Sequence, residues 1–296
     1  MFHGLLVALV TPFHPNGDLD EAKLRGLVRF HLDAGTDGLV PCGTTGESAA
    51  LRGWEERARI IRIVVEEAAG RLPVIPGVGT NSTEETVGNV RRLGELGADG
   101  ALVVTPYYNK PTQAGLEAHF RAAAEASPVP IVLYNVPGRT GVNLLPATVA
   151  ALADEPRIAA VKEASGDLVQ ASWIRRLCGE RVALLCGDDA LTYPMLCLGA
   201  AGVISVVGNV APKPMRALIA AQRAGRAEEA RRLHLELLPL AEALFLESNP
   251  IPVKEAMNRL GFAVGPPRLP LVPMRPESAR RLHEALAGCG LEPARR

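Results

Sequence analysis

Eight short apolar runs, each closed by small or polar residues and followed by an amphipathic stretch, set the limits on how this chain can fold. They are Leu5–Val10, Gly38–Val40, Val74–Ile75 continuing to Val78, Ala101–Val104, Ile131–Tyr134, Ile158–Lys162, Val182–Cys186 and Val203–Val207. A strand that is apolar on both sides needs cover on both faces, as parallel strands between helices have. Eight such repeats in about 210 residues predict an α/β chain folded as a (β/α)8 TIM barrel. A doubly wound open sheet is the alternative, but no glycine-rich nucleotide fingerprint follows the first run. Helices are expected from Asp20-Glu21 to Asp33, over Trp54–Ala69, from a cap at Asn81-Ser82-Thr83-Glu84-Glu85 to near Gly97, and over Gln113–Ala126, Pro146–Ala153, Leu168–Leu177 and Asp189–Leu198. After Asn209 the pattern becomes helical: Pro212–Arg223, Ala227–Leu246, Ile251–Leu260 and Pro276–Leu286. The first of these closes the barrel. The expected division is therefore a catalytic barrel over 1–224 and a C-terminal three-helix appendage over 225–296. An appendage that small is expected to pack on the barrel or on a second copy.

Composition narrows the function classes. Basic and acidic residues balance at 32 each, so no electrostatic case exists for nucleic acid or an anionic membrane. No apolar run approaches the roughly 20 residues of a membrane helix. The start, Met1-Phe2-His3-Gly4-Leu5, lacks a charged segment and a cleavage site, and the five scattered cysteines (Cys42, Cys178, Cys186, Cys197, Cys289) show no Cys-x-x-Cys spacing. A cytoplasmic protein with reduced thiols is expected.

In a barrel of this kind the chemistry collects where strands end. One such end, Ile158-Ala159-Ala160-Val161-Lys162, closes an apolar run with a lysine. Burying an ammonium costs several kcal/mol unless it is paired or loses its proton. The uncharged amine attacks carbonyls, so a Schiff base at Lys162 is one reading; a side chain that snorkels out of the strand end is the other. Only five of the 32 basic residues are lysines, and Lys23, Lys110, Lys213 and Lys254 fall on a helix face, in loops or in a helical pattern. Glu163 is expected to face away from the barrel axis by strand alternation. Gly43-Thr44-Thr45-Gly46 suits a carboxylate, with backbone N–H groups and two hydroxyls, or is a tight strand–helix turn. Tyr134 can relay protons, or be buried with a backbone partner. Arg139, in a turn after Pro137-Gly138, can grip a second carboxylate or be an ordinary surface arginine. Asp188-Asp189 is a poor metal pair, since adjacent strand residues diverge, and Asp189 reads better as a helix cap. The histidines avoid these ends apart from His14, so no metal is expected. Amine, carboxylate cradle and phenol together suit aldol chemistry on a 2-oxo acid, with an imine as electron sink.

These segments resemble the dihydrodipicolinate synthase family, within the pyruvate-dependent class I aldolases that include N-acetylneuraminate lyase. The resemblance rests on Gly43-Thr44-Thr45-Gly46-Glu47-Ser48, Thr105 to Pro111, Tyr134 to Thr140, Val161 to Ser165, Gly187 to Asp189, Gly202 to Ser205 and Asn249 to Lys254, and runs from Phe2 to about Leu291. It implies that Lys162 forms the imine with pyruvate and that Tyr134 donates protons. Thr44 and Tyr108 match its relay partners, the latter supplied in the family by the neighbouring subunit of a tight dimer. It further implies that Thr45 holds the pyruvate carboxylate, that Gly187 and Ile204 line the pocket, and that Arg139 receives the carboxylate of aspartate-4-semialdehyde. No cofactor is implied beyond the lysine imine, and a homotetramer built as a dimer of dimers is. Ser48, Ala49, Asn81, Glu85 and Tyr107 match the lysine site of feedback-inhibited relatives. Gly53 and Glu56 depart from it, where strongly inhibited members tend to carry histidines, so weak or absent lysine inhibition is expected. Another pyruvate aldolase, acting on N-acetylneuraminate or a 2-keto-3-deoxy sugar acid, is the alternative.

Overall fold

The computed structural model describes residues 2–292. Seven parallel strands, β1 (Gly4–Ala8), β2 (Gly38–Val40), β3 (Ala101–Val104), β4 (Ile131–Asn135), β5 (Ile158–Glu163), β6 (Ala183–Cys186) and β7 (Gly202–Ser205), hydrogen-bond in the order β2-β1-β7-β6-β5-β4-β3. The two open edges are joined by the third expected run, Val74 to Val78. Val74 bridges Leu39 of β2, and Gly77 bridges Leu102 of β3. This stave is a broken ladder because Pro76 has no N–H to donate. Ile75 N donates to Leu39 O at 2.8 Å, Gly77 N to Pro41 O at 2.9 Å, and Leu102 N to the Pro76 carbonyl at 2.9 Å. The barrel is thus closed by eight staves, seven of them regular.

Alternation explains why the runs are apolar throughout. Leu6, Ala8, Val132, Tyr134, Ala160, Leu185 and Ile204 fill the barrel interior. Their neighbours Leu5, Val7, Ile131, Leu133, Val161, Leu184 and Val203 belong to the separate core between barrel and helices. Each buried leucine or isoleucine removes apolar surface worth about 1.5–3 kcal/mol, and a one-residue slip of any strand would exchange the two cores.

The outer ring comprises α1 (Glu21–Ala34), α2 (Gly53–Ala68), α3 (Thr83–Arg91), α4 (Gln113–Ala126), the single turn α5 (Pro137–Thr140), α6 (Pro146–Leu152), α7 (Leu168–Cys178), α8 (Thr192–Cys197) and α9 (Pro212–Arg223). Caps set several starts. Asp20 accepts from Lys23 N, Ser82 from Glu85 N, and Asp167 from Val169 N and Gln170 N. Three further helices, α10 (Ala227–Ala243), α11 (Ile251–Arg259) and α12 (Pro276–Gly288), follow. The expected helix over Asp189–Leu198 is instead a 3-10 turn, Asp189–Leu191, leading into α8. Its cap is Asp188, whose carboxylate accepts from Ala190 N at 3.0 Å. The capping role expected of Asp189 is therefore corrected by one residue. Asp189 is buried: its carboxylate accepts from Val206 N at 2.7 Å, Val207 N at 3.0 Å and the Ser205 hydroxyl, tying the end of β6 to the end of β7.

Two buried histidines give the fold an acid sensitivity. His31, in the last turn of α1, packs edge-on against Phe30 and has no hydrogen-bond partner on either ring nitrogen among the described residues. Burial pushes it down to about 3, and pushes His119, which bonds only Thr83, down to about 4. Both are neutral in the folded chain, while the unfolded chain takes up protons below about 6.5. Stability is therefore expected to fall as pH drops from about 6.5 toward about 4. His31→Leu should make the slope of thermal midpoint against pH shallower over that window; an unchanged slope would contradict the assignment.

Candidate active site

The C-terminal ends of the staves meet in a cavity of about 350 Å3 lined by Thr44, Thr45, Tyr134, Arg139, Lys162 and Gly187, with Asp188, Phe245 and Asn249 among the further walls. Lys162 and Tyr134 are cross-strand partners on β5 and β4. Both point into the barrel, and only 6% of Lys162 is exposed. Its Nζ lies 4.2 Å from the centre of the Tyr134 ring. Gly187, at the end of β6, makes room for this arm. A Cβ there would stand 3.0 Å from Lys162 Cε and 2.6 Å from Ala164 Cβ, too close for any other residue without displacement.

Burial alone does not single out Lys162. Lys254, on α11, is buried still more completely. The two differ in company. Lys254 Nζ is held by Glu47 at 2.7 Å and by the carbonyls of Thr11 and Pro266, each at 3.0 Å. Lys162 Nζ instead meets the face of a phenol ring and an open cavity. A lysine with that surrounding is poorly placed to be structural and well placed to act.

The residues after β2 form the second wall. Cys42 and Glu47, which flank Gly43-Thr44-Thr45-Gly46, both adopt left-handed backbone at φ 57° and 59°. Each such non-glycine residue costs on the order of 1–2 kcal/mol and needs outside support. Gly46 is required there, because its Cβ would fall 2.8 Å from Cys42 N. The Thr45 hydroxyl accepts from Asn249 Nδ2 at 2.9 Å, and Arg57 donates to the carbonyls of Gly77 at 2.6 Å and Ser48 at 3.1 Å. Arg139 stands on α5 at the exposed mouth, bonded to the Asn249 carbonyl at 3.3 Å.

A second cavity, of about 230 Å3, shares Thr44, Tyr134 and Arg139 with the first and extends past Ser48, Ala49 and Tyr107. Asn81 and Glu85, the other two members of the expected effector set, are not on its walls. The Asn81 carbonyl accepts from Asn109 Nδ2, and Glu85 N is taken by the Ser82 cap. Glu56 is occupied by Arg268, which donates to both carboxylate oxygens at 2.6 Å.

Six of the eight expected catalytic and substrate-binding residues thus meet at one cavity. Ile204 does not reach its wall; it lies below, in the barrel interior. Tyr108 is 88% exposed, with its backbone at φ 74°, and this chain alone does not bring it to the site. Glu163 faces outward as alternation requires, and its buried carboxylate accepts from Ser165 N at 2.6 Å, Asn135 Nδ2 at 3.0 Å and Gln170 Nε2 at 3.1 Å. Asn249 and Phe245 are the members that sequence reasoning missed. Asn249 lies within a motif quoted above, and its Oδ1 is buried without a partner among the described residues.

A (β/α)8 barrel whose mouth sets a buried lysine against a phenol, beside a hydroxyl-lined turn, has the build of the imine-forming barrel lyases. The chain belongs to the dihydrodipicolinate synthetase family, whose model matches residues 1–288. It is similar to 4-hydroxy-tetrahydrodipicolinate synthase of Geotalea daltonii, 55% identical over 282 residues that cover 95% of this chain and 97% of that one. Among solved structures, dihydrodipicolinate synthase of Thermotoga maritima superposes with a TM-score of 0.95 at 46% identity, covering 98% of this chain and 99% of the other. The enzyme of Cyanidioschyzon merolae, solved with lysine bound, superposes with a TM-score of 0.95 at 44% identity, covering 98% and 99%.

Proposed function

We propose that this chain condenses pyruvate with L-aspartate-4-semialdehyde to 4-hydroxy-tetrahydrodipicolinate, the committed step toward diaminopimelate and lysine. The observation that carries the reading is Lys162: buried, 4.2 Å from the Tyr134 ring, and opening on a cavity whose opposite wall is Thr44-Thr45. The amine attacks pyruvate C2 and water leaves, giving an imine. Loss of a C3 proton gives an enamine, which adds to the aldehyde carbon. The amino group of the semialdehyde then displaces Lys162 from C2 and closes the ring. Tyr134 moves the protons, with Thr44 beside it, and Thr45 holds the pyruvate carboxylate. Arg139, at the mouth, receives the second carboxylate through a bidentate fork. The imine is itself the electron sink, so the chemistry calls for neither cofactor nor metal.

Two exposed apolar features support a homotetramer built as a dimer of dimers. Tyr107 and Tyr108 are 39% and 88% exposed, and Val169, Trp173 and Leu177 form a stripe along α7 with 67%, 49% and 40% of each exposed. Tyr108 is then offered to the neighbouring subunit's site. Among the described residues no helix is long and apolar enough to cross a membrane, and all five cysteines are unpaired, which suits the cytoplasm. Lysine is a weak effector at most, since Glu56 is already taken by Arg268 and position 53 is Gly53.

Initial rates with pyruvate and a panel of aldehydes test the reading. Aspartate semialdehyde should be turned over at least ~100-fold faster than sugar aldehydes, because a site built around Arg139 leaves that charge unmatched with a polyol. In the same assay L-lysine should leave the rate nearly unchanged at about 1 mM, the upper end of the range in which metabolites ordinarily half-saturate enzymes. Faster turnover of a sugar aldehyde would move the chain to the sugar-acid lyases. Half-maximal inhibition below that lysine concentration would overturn the effector reading.

A further inference from the structure

The Thr44-Thr45 turn is held from the far end of the chain. Glu47, in left-handed backbone just beyond it, has a side chain with no exposed surface, and its partner Lys254 is 1% exposed. They meet at 2.7 Å across a sequence separation of 207 residues. The remaining Glu47 oxygen accepts from Arg268 N at 2.8 Å. The remaining Lys254 donors go to the Thr11 and Pro266 carbonyls, each at 3.0 Å. Thr11 in turn donates its hydroxyl to the Gly46 carbonyl at 2.7 Å, inside the turn itself. Every polar atom of the pair is matched, so it is an anchor with one geometry. It sits where two left-handed residues would otherwise relax.

We propose that Glu47 and Lys254 are a positioning pair for pyruvate: they hold Thr44-Thr45 in the shape that takes the carboxylate, which makes α11 and the segment around Pro266 and Arg268 part of the pyruvate-binding apparatus. This rests on the reading of residues 43–46 as the carboxylate cradle. A pair that only stabilised the fold would change melting, and would not distinguish one substrate from the other.

Removing one charge strands the other in the interior, so the informative variant removes both: E47Q/K254M. Glu47→Gln is a second variant: Lys254 loses its counter-charge but keeps its two carbonyl partners. In the full-length protein, half-saturating pyruvate should rise about tenfold in E47Q/K254M, and should rise in E47Q as well. The rise should appear both in steady-state rates and in borohydride trapping. Half-saturating aldehyde should stay within about threefold. Unchanged half-saturation by pyruvate in either folded variant would overturn the proposal, as would an equal rise for both substrates. Trapping of pyruvate by the unaltered protein checks the underlying reading separately. Without an adduct there, the cradle has no carboxylate to hold and the proposal falls with it.

Discussion

Lys162→Arg is expected to lose aldol turnover by about a thousandfold or more, which corresponds to about 4 kcal/mol of barrier. A guanidinium is never deprotonated in a protein and cannot add to a carbonyl. The longer, planar head group would also stand in the cavity that the substrate has to enter. No other lysine can take over. Lys254 is locked among three oxygens, and Lys23, Lys110 and Lys213 are not on the cavity walls. Lys162→Met separates function from folding. It should be as inactive as the arginine variant, yet its thermal midpoint should stay level or rise, because a buried polar head without an ionic partner is replaced by apolar volume. A fall of many degrees in Lys162→Met would mean that the lysine serves the fold.

Tyr134→Phe is expected to lower kcat by about a hundredfold to a thousandfold, the usual worth of a positioned proton donor. The ring that backs Lys162 is kept, at 4.2 Å from Nζ, so the change removes only the hydroxyl. The protein should still trap pyruvate with borohydride, more slowly, and melt within a few degrees of the original. Loss of less than about fivefold in kcat would remove Tyr134 from the proton path.

The barrel was legible because parallel strands buried on both faces leave no polar alternation. Leu5-Leu6-Val7-Ala8 reads as one apolar run although its residues divide between two cores. The third run was legible too, and its proline, Pro76, explains why it closes the ring by isolated bridges. The cap of the turn after β6 was misplaced by one residue. Asp188 and Asp189 are both good cap residues, and only the point at which the chain leaves the strand decides between them.

Lys162, Tyr134 and the Thr44-Thr45 turn could be found because each stands at the end of a readable strand. Lys254 was harder. Its partner is 207 residues away, and no local pattern shows such a contact. Its spacing does carry a signal: Ile251, Lys254 and Met257 recur at helical intervals, and all three are buried, which puts the lysine on the inner face of α11. Asn249 reaches Thr45 in the same way, from a segment with no strand to mark it. Tyr108 differs from both: its place in the site depends on a second copy of the chain.

The central claim is that Lys162 forms an imine with pyruvate, and mass spectrometry after borohydride reduction tests it most directly. Intact protein treated with pyruvate and borohydride should gain one reduced pyruvate adduct per chain. Peptide mapping should place that adduct at Lys162, with Lys254 and the three other lysines unmodified. No adduct, or an adduct on any lysine but Lys162, would contradict the account.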